Sequence, residues 1–153
     1  MKENIYSSNL GMASASDLHN YIQNKLQVEY SNYLDDSKFT ILPTSNIFKD
    51  IDIEIIPDIV VKDDKKNILY CIEIDHKGSN KYTKDKYQKF NHLLPDFTEV
   101  YNVIYSNDKS KVSFELFKLN LEGQFEDCKN LPLLKKKSIE SYFVPYQEKM
   151  IRL

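Results

Sequence analysis

Apolar positions first recur at helical spacing. Leu18, Ile22, Leu26, Tyr30 and Tyr33 fall on one stripe, which predicts an amphipathic helix reaching to about residue 34. Ser16 or Asp17 stands where an N-cap oxygen belongs. His19, Gln23 and Gln27 form a neighbouring polar stripe, suited either to a cleft at the domain edge or to half-exposed surface. For His19 alone, surface or a structural hydrogen bond is the simpler expectation. Residues 35–38 break the helix, 39–42 read as a strand and 43–46 as a turn. Residues 50–55 alternate strictly and predict a strand with Ile51, Ile53 and Ile55 inward and Asp50, Asp52 and Glu54 in solvent. Ile56 breaks that alternation just before Pro57, which predicts a bulge or corner.

Residues 56–77 hold the densest chemistry. They read as two short strands joined by the charged turn 63–67. Strand side chains alternate faces, so Ile68, Tyr70, Ile72 and Ile74 share a core face while Leu69, Cys71, Glu73, Asp75 and Lys77 share the other. Along that second face, successive Cα atoms are roughly 7 Å apart. One strand face thus carries two carboxylates and an ammonium, and Asp58 can reach the same place from the neighbouring strand. Such an oxygen-rich cluster suits a hard divalent cation such as Mg²⁺, with Mn²⁺ as a substitute. A lysine beside the ion can orient a water or stabilise charge on a phosphate. The plainer expectation is a surface hairpin with solvated charges.

Beyond Lys77 the pattern predicts a helix over about 83–94 with Tyr87, Phe90, Leu93 and Leu94 inward and Pro95 as its stop. Strands follow at 100–105 and 112–119, separated by a turn at 107–110. The result is one α/β or α+β domain over 1–153, a mixed central sheet flanked by helices, with 1–13 as an irregular arm. Residues 131–153 form a tail, expected as an amphipathic helix that packs Ile139, Tyr142 and Phe143 on the domain.

Composition narrows the class. With 153 residues, 41% hydrophobic and 29% charged, the chain has enough apolar material for one core and is not of disordered type. No apolar run approaches the length of a membrane span, and the start lacks the apolar stretch of a secretory signal. A cytoplasmic, reduced protein is expected. Cys71 and Cys128 show no metal-ligand spacing, and Cys71 reads as a small buried hydrophobe. The net charge of −2 gives no global attraction to nucleic acid. Locally, Lys77, Lys81, Lys84, Lys86 and Lys89 face only one acid, Asp85, and Lys135, Lys136 and Lys137 form a second basic group. Either can touch a phosphate backbone or be an ordinary solvated face.

Pro57-Asp58 followed by Asp75-His76-Lys77 resembles the PD-(D/E)xK nuclease superfamily. The resemblance implies a restriction-endonuclease-like core and Mg²⁺-dependent hydrolysis of phosphodiester bonds in DNA. It implies metal binding by Asp58, Asp75 and the His76 carbonyl, and service to the attacking water by Lys77. Ser16-Asp17-Leu18-His19, Asp85 to Lys89, and Glu99-Val100-Tyr101 extend it toward the Uma-type restriction endonuclease family. Members of that family often lack a lysine two residues after the acid and use the helix lysine. This chain has both Lys77 and Lys89, so either fits, and Glu73 competes with Asp75 as the acid. Asp75 with Lys77 fits the superfamily spacing better, leaving Glu73 as a supporting or second-metal acid. His19, Gln88, Lys89 and Lys84 are the implied substrate contacts, and a homodimer suits enzymes that cut two strands. The family's usual N-terminal segment is replaced here by about a dozen irregular residues. The main rival is a catalytically inactive module of the same fold that binds nucleic acid or a protein. A plainer one has no chemistry and only an Asp75–Lys77 surface ion pair. Separately, Lys136 to Phe143 resembles a sliding-clamp-binding peptide through Ile139, Tyr142 and Phe143, with Lys136 in place of the usual glutamine.

Overall fold

The computed structural model describes residues 16–51, 53–108, 110–134 and 138–153. The arm at 1–13, Asp52 and the Lys135 to Lys137 group lie outside the described residues. Helix α1 (Asp17–Tyr33) starts where the sequence places it, with the Ser16 hydroxyl accepting from the His19 N–H at 3.0 Å. Six strands form one sheet in sequence order: β1 (Phe39–Pro43), β2 (Ile59–Asp63), β3 (Ile68–His76), β4 (Glu99–Asn107), β5 (Val112–Leu119) and β6 (Phe125–Asp127). All neighbours are antiparallel except β3 and β4, which run parallel and are joined through helix α2 (Lys81–Phe90). A parallel pair needs such a crossover, because a tight turn can only reverse the chain. This is a mixed six-stranded sheet with helices, an α+β arrangement.

The sheet is buried on both faces. Leu18, Ile22, Leu26 and Tyr30 of α1 pack on Ile72, Ile74, Val103 and Tyr105. On the other face Tyr87 and Phe90 of α2 enclose Cys71 and Val100, together with Phe48, Ile53 and Ile55. Period-two alternation along β3 therefore divides side chains between two cores. An irregularity in the β2–β3 register, where Val61 faces Tyr70 but Lys62 faces Ile68, places Ile68 in the α2 core instead of with Ile72.

Three expectations need correction, and one strand, β6, has no counterpart in the sequence pattern. Among the described residues of 50–55 no strand forms: a 3₁₀ turn (Lys49–Ile51) stands at the start, and the Ile53 N–H bonds the Phe48 carbonyl at 3.3 Å. Ile53 and Ile55 are buried as expected, but Ile51 is 48% exposed. Alternate burial against α2 reproduces the strand pattern without a ladder, and a salt bridge from Glu54 to Lys86 at 2.9 Å ties the segment down. Helix α2 begins at Lys81 and passes at Phe90 into a 3₁₀ turn (Asn91–Leu93), which leaves Leu93 47% exposed. Strand β6 carries only three residues, too short to show a period. The tail is a succession of two 3₁₀ turns (Ile139–Tyr142, Val144–Tyr146) and a short α3 (Gln147–Ile151), not one helix. Its Ile139, Tyr142 and Phe143 are nonetheless buried in the α1-side core, so a sliding clamp could take them only by emptying that core. Gln147 seals the contact by bonding both main-chain groups of Val112, at 2.7 and 2.9 Å.

Candidate carboxylate site

Asp58 sits at the open end of the β2–β3 ladder. Pairing stops at Ile59 opposite Ile72, and the Asp58 carboxylate takes over the next free donor, the Ile74 N–H, at 2.8 Å. The same Oδ2 lies 3.3 Å from Nε2 of His19 on α1. Gln23, one turn further along that helix, donates to the Asp58 carbonyl at 2.7 Å and to the Thr44 hydroxyl at 2.9 Å. Asp58 is thus held from β3 and from two positions on α1, which fixes its free oxygen at the sheet rim.

Glu73 and Asp75 rise from β3 on the α2 side. The Tyr87 hydroxyl donates to Glu73 at 2.7 Å, and the Thr83 hydroxyl donates to Asp75 at 2.7 Å. Asn102, opposite Glu73 in the parallel register and 1% exposed, donates its amide to Asp75 Oδ2 at 2.9 Å and to the Glu73 carbonyl at 3.1 Å. Its Oδ1 is buried without a partner, as is Nδ1 of His19. Burial raises the Glu73 carboxyl well above the usual range, and the charges of Asp58 and Asp75 push it further, against the Tyr87 hydrogen bond. Burial also raises Asp75; Thr83 and Asn102 oppose the shift, while Asp58 adds to it. For His19 burial acts downward, but the hydrogen bond and charge of Asp58, with Asn20 and Asp75, outweigh it and leave the imidazole raised. The charged groups acting on Glu73 and Asp75 are each other, Asp58 and His19.

The remaining candidates are placed differently. Lys77 points its ammonium at Glu115 of β5, 3.4 Å away, and both side chains are over half exposed. The pair expected between Asp75 and Lys77 is therefore replaced by one between Lys77 and Glu115. The His76 carbonyl accepts from the Ser79 N–H at 2.9 Å, with a second lone pair left over. Lys84 and Gln88 are exposed on one flank of α2. Lys89 lies on the other, where with Lys86 it acts on Glu54, so it does not meet the carboxylates. Of the lysine group, Lys81 pairs with Asp85 at 2.6 Å and Lys86 with Glu54, while Lys84 and Lys89 enter no ion pair with another described residue.

Thr83, Tyr87 and Asn102 contribute to the site without having been singled out for it, whereas Gln23 lies on the polar stripe whose cleft-facing alternative the sequence offered. Asn102 carried a signal, being the one polar residue inside the apolar run 100–104. A polar residue there must find partners or destabilise the sheet. Thr83 and Tyr87 carried none, because their inward spacing is that of any core-facing helix.

Among the described residues no three His, Cys, Asp or Glu side chains close on one point as a ready-made cage. Magnesium is commonly held by one or two carboxylates plus water and substrate phosphate, so Asp58 and Asp75 suffice in donor type. Crowded acceptors with raised proton affinity fit a cation. Among the described residues no helix is long and apolar enough to cross a membrane. Fold and site together define an α+β domain with a rim cluster of carboxylates. Compared with known proteins, the chain matches no family model, no curated protein and no solved structure.

The raised groups set a pH dependence. Glu73 and Asp75 bind protons more tightly in the folded protein than their ordinary values of 4.5 and 3.8 allow in the unfolded chain, and His19 does so relative to 6.5. Each contributes stability that is complete below its ordinary value and is lost as pH rises through the raised one. Surface acids such as Asp35 and Asp108, held low by bonds from Ser37 and Ser110, act oppositely but only below their ordinary 3.8. Metal-free protein is therefore expected to melt at progressively lower temperature as pH rises above the ordinary carboxylate values, with His19 adding to the fall above 6.5. A flat profile would remove the case for a strained carboxylate cluster.

Proposed function

We propose that this protein is a Mg²⁺-dependent endonuclease of the PD-(D/E)xK type, hydrolysing phosphodiester bonds in DNA on a restriction-endonuclease-like core. The observation that carries this reading is the gathering of Asp58, Glu73 and Asp75 at one rim with His19 as the only basic side chain in contact among the described residues. One imidazole cannot balance three acids. Asp58 and Asp75 would hold Mg²⁺ or Mn²⁺, with the second lone pair of the His76 carbonyl and Glu73 in support. Such an ion supplies a more acidic water and offsets charge on the phosphate.

The chain's own groups do the rest. Thr83 and Asn102 fix the orientation of Asp75, and Gln23 and the Ile74 N–H fix that of Asp58. His19 presents a proton at the rim: the attacking water would give up a proton to solvent as its oxygen joins phosphorus, the P–O ester bond breaks, and the leaving oxygen takes up the His19 proton. Lys77 reaches the phosphate by leaving Glu115, a surface pair contributing about 0–1 kcal/mol. Lys84 and Gln88, exposed on one flank of α2, would touch the strand backbone, whereas Lys89 on the other flank would not.

The placement of Lys77 on Glu115 favours one rival, a module of this fold that binds nucleic acid or a protein without cutting. Metal separates the two. At a hundredfold excess over the dissociation constant, a bound ion adds about 2.7 kcal/mol of stability. Mn²⁺ is expected to raise the melting temperature of wild type, to leave Asp58→Asn unchanged, and to support cleavage of plasmid or single-stranded DNA by wild type alone. Cleavage that survives in Asp58→Asn, or a melting temperature indifferent to metal, would sink the nuclease reading.

A further inference from the structure

On the α1 side of the rim lies a cleft of about 220 Å³ lined by Ser16, Leu18, His76, Tyr105, Asn107 and Leu153. It opens at the carboxyl ends of the two parallel strands β3 and β4, the end of a sheet where ligands most often bind. It also lies close to the cluster, round the edge of the sheet from Asp75. His76 follows Asp75 in the chain, and the charges of Asp75 and Asp58 reach the Tyr105 hydroxyl. Its wall is aromatic and fixed: the His76 ring meets Tyr105 edge-on at 5.3 Å, and the Tyr105 hydroxyl bonds Ser16 Oγ at 3.2 Å.

What fits such a cleft follows from its size and charge. Ordinary ligand pockets begin near about 300 Å³, so this one has room for a single planar ring system and not for a whole nucleotide. Among the described residues neither lysine nor arginine lines it, and the charges of Asp75 and Asp58 reach its Tyr105, so a phosphate is disfavoured. A neutral ring can lie against the exposed His76 imidazole and use Ser16, Asn107 and the Tyr105 hydroxyl for its polar edge. Histidine rings are among the side chains on which unpaired bases stack.

The geometry points to a base-binding cleft, in which Ser16, His76, Tyr105 and Asn107 receive one nucleobase of the strand whose phosphate lies over Asp58 and Asp75. This rests on the nuclease reading above and adds the substrate class. A base inside an intact duplex cannot enter, because it must first leave its stack and partner. The substrate is therefore single-stranded, frayed or mismatched nucleic acid.

The test compares Mn²⁺-dependent cleavage of one sequence as a single strand, as a duplex with a central mismatched bubble, and as an uninterrupted duplex. Wild type is expected to cut the first two about tenfold or more faster than the third, since only the third must be unstacked. His76→Ala and Asn107→Ala are expected to bring that ratio toward one. In Ca²⁺, a single strand carrying 2-aminopurine is expected to brighten on binding wild type and not on binding His76→Ala, a readout that does not need cleavage. Equal cutting of all three forms by wild type, or an undiminished ratio in both variants, overturns the cleft while leaving the nuclease reading intact. Absence of both cleavage and Mn²⁺ stabilisation in wild type overturns that reading and this one with it. Binding of a peptide in the cleft with no response to 2-aminopurine DNA likewise overturns it.

Discussion

Asp75→Asn is expected to lose cleavage by about a hundredfold to a thousandfold, the usual effect of removing one preorganised electrostatic group, and yet to be more stable than wild type without metal at neutral pH. Both effects come from one carboxylate. Its Oδ2 accepts from Thr83 and Asn102, bonds that an amide oxygen can keep. Burial and the neighbouring charge of Asp58 make its ionised form unfavourable, so removing the charge relieves folded-state repulsion. The amide nitrogen then supplies a donor among acceptors, but it cannot ligate a hard cation. The gain should be larger at neutral pH than at pH 3.8, because it grows only as pH rises past the ordinary value of Asp75 toward its raised one. Thermal melts at the two pH values, with and without Mn²⁺, check this beside a cleavage assay. Unchanged melting together with full cleavage would place Asp75 outside the site. A stabilising change that abolishes activity is the usual sign of an arrangement kept for function.

Phe143→Ala is expected to cost about 3–5 kcal/mol, measured by urea unfolding. Its ring is 0% exposed and stacks on Phe114 of β5 with centroids 4.7 Å apart. Ile139, Tyr142 and Met150 fill the same layer, so the neighbours cannot collapse into the space without moving α3 off Val112. An exposed tail would predict almost no change. A loss under about 1 kcal/mol, within the range of surface substitutions, would mean that the tail is not part of the core.

Much of the fold was written in short-range pattern. The stripe from Leu18 to Tyr30, the cap at Ser16, the hairpin around 63–67, and strands β4 and β5 follow from period and turn chemistry alone. The failures share one cause. The segment 50–55 has the period of a strand because Ile53 and Ile55 bury against α2, and burial at every second residue looks the same with or without a ladder partner. Ile51 and Leu93, apolar but exposed, show that composition cannot say which side of a turn meets the core.

The site divides the same way. The sequence by itself determined that Glu73 and Asp75 share one face of a strand and that Asp58 lies near the end of its neighbour, because side-chain alternation and hairpin pairing are local consequences of covalent geometry. Only the tertiary structure decided which basic group joins them. His19 comes 39 residues before Asp58 and reaches it because α1 packs across the β2–β3 rim, whereas Lys77 turns to Glu115 and Lys89 to the flank near Glu54. Asn102 likewise meets Asp75 because β4 lies parallel beside β3, with helix α2 between them in the chain. Contacts across such separations depend on how helices and strands pack, and no spacing in the chain encodes that.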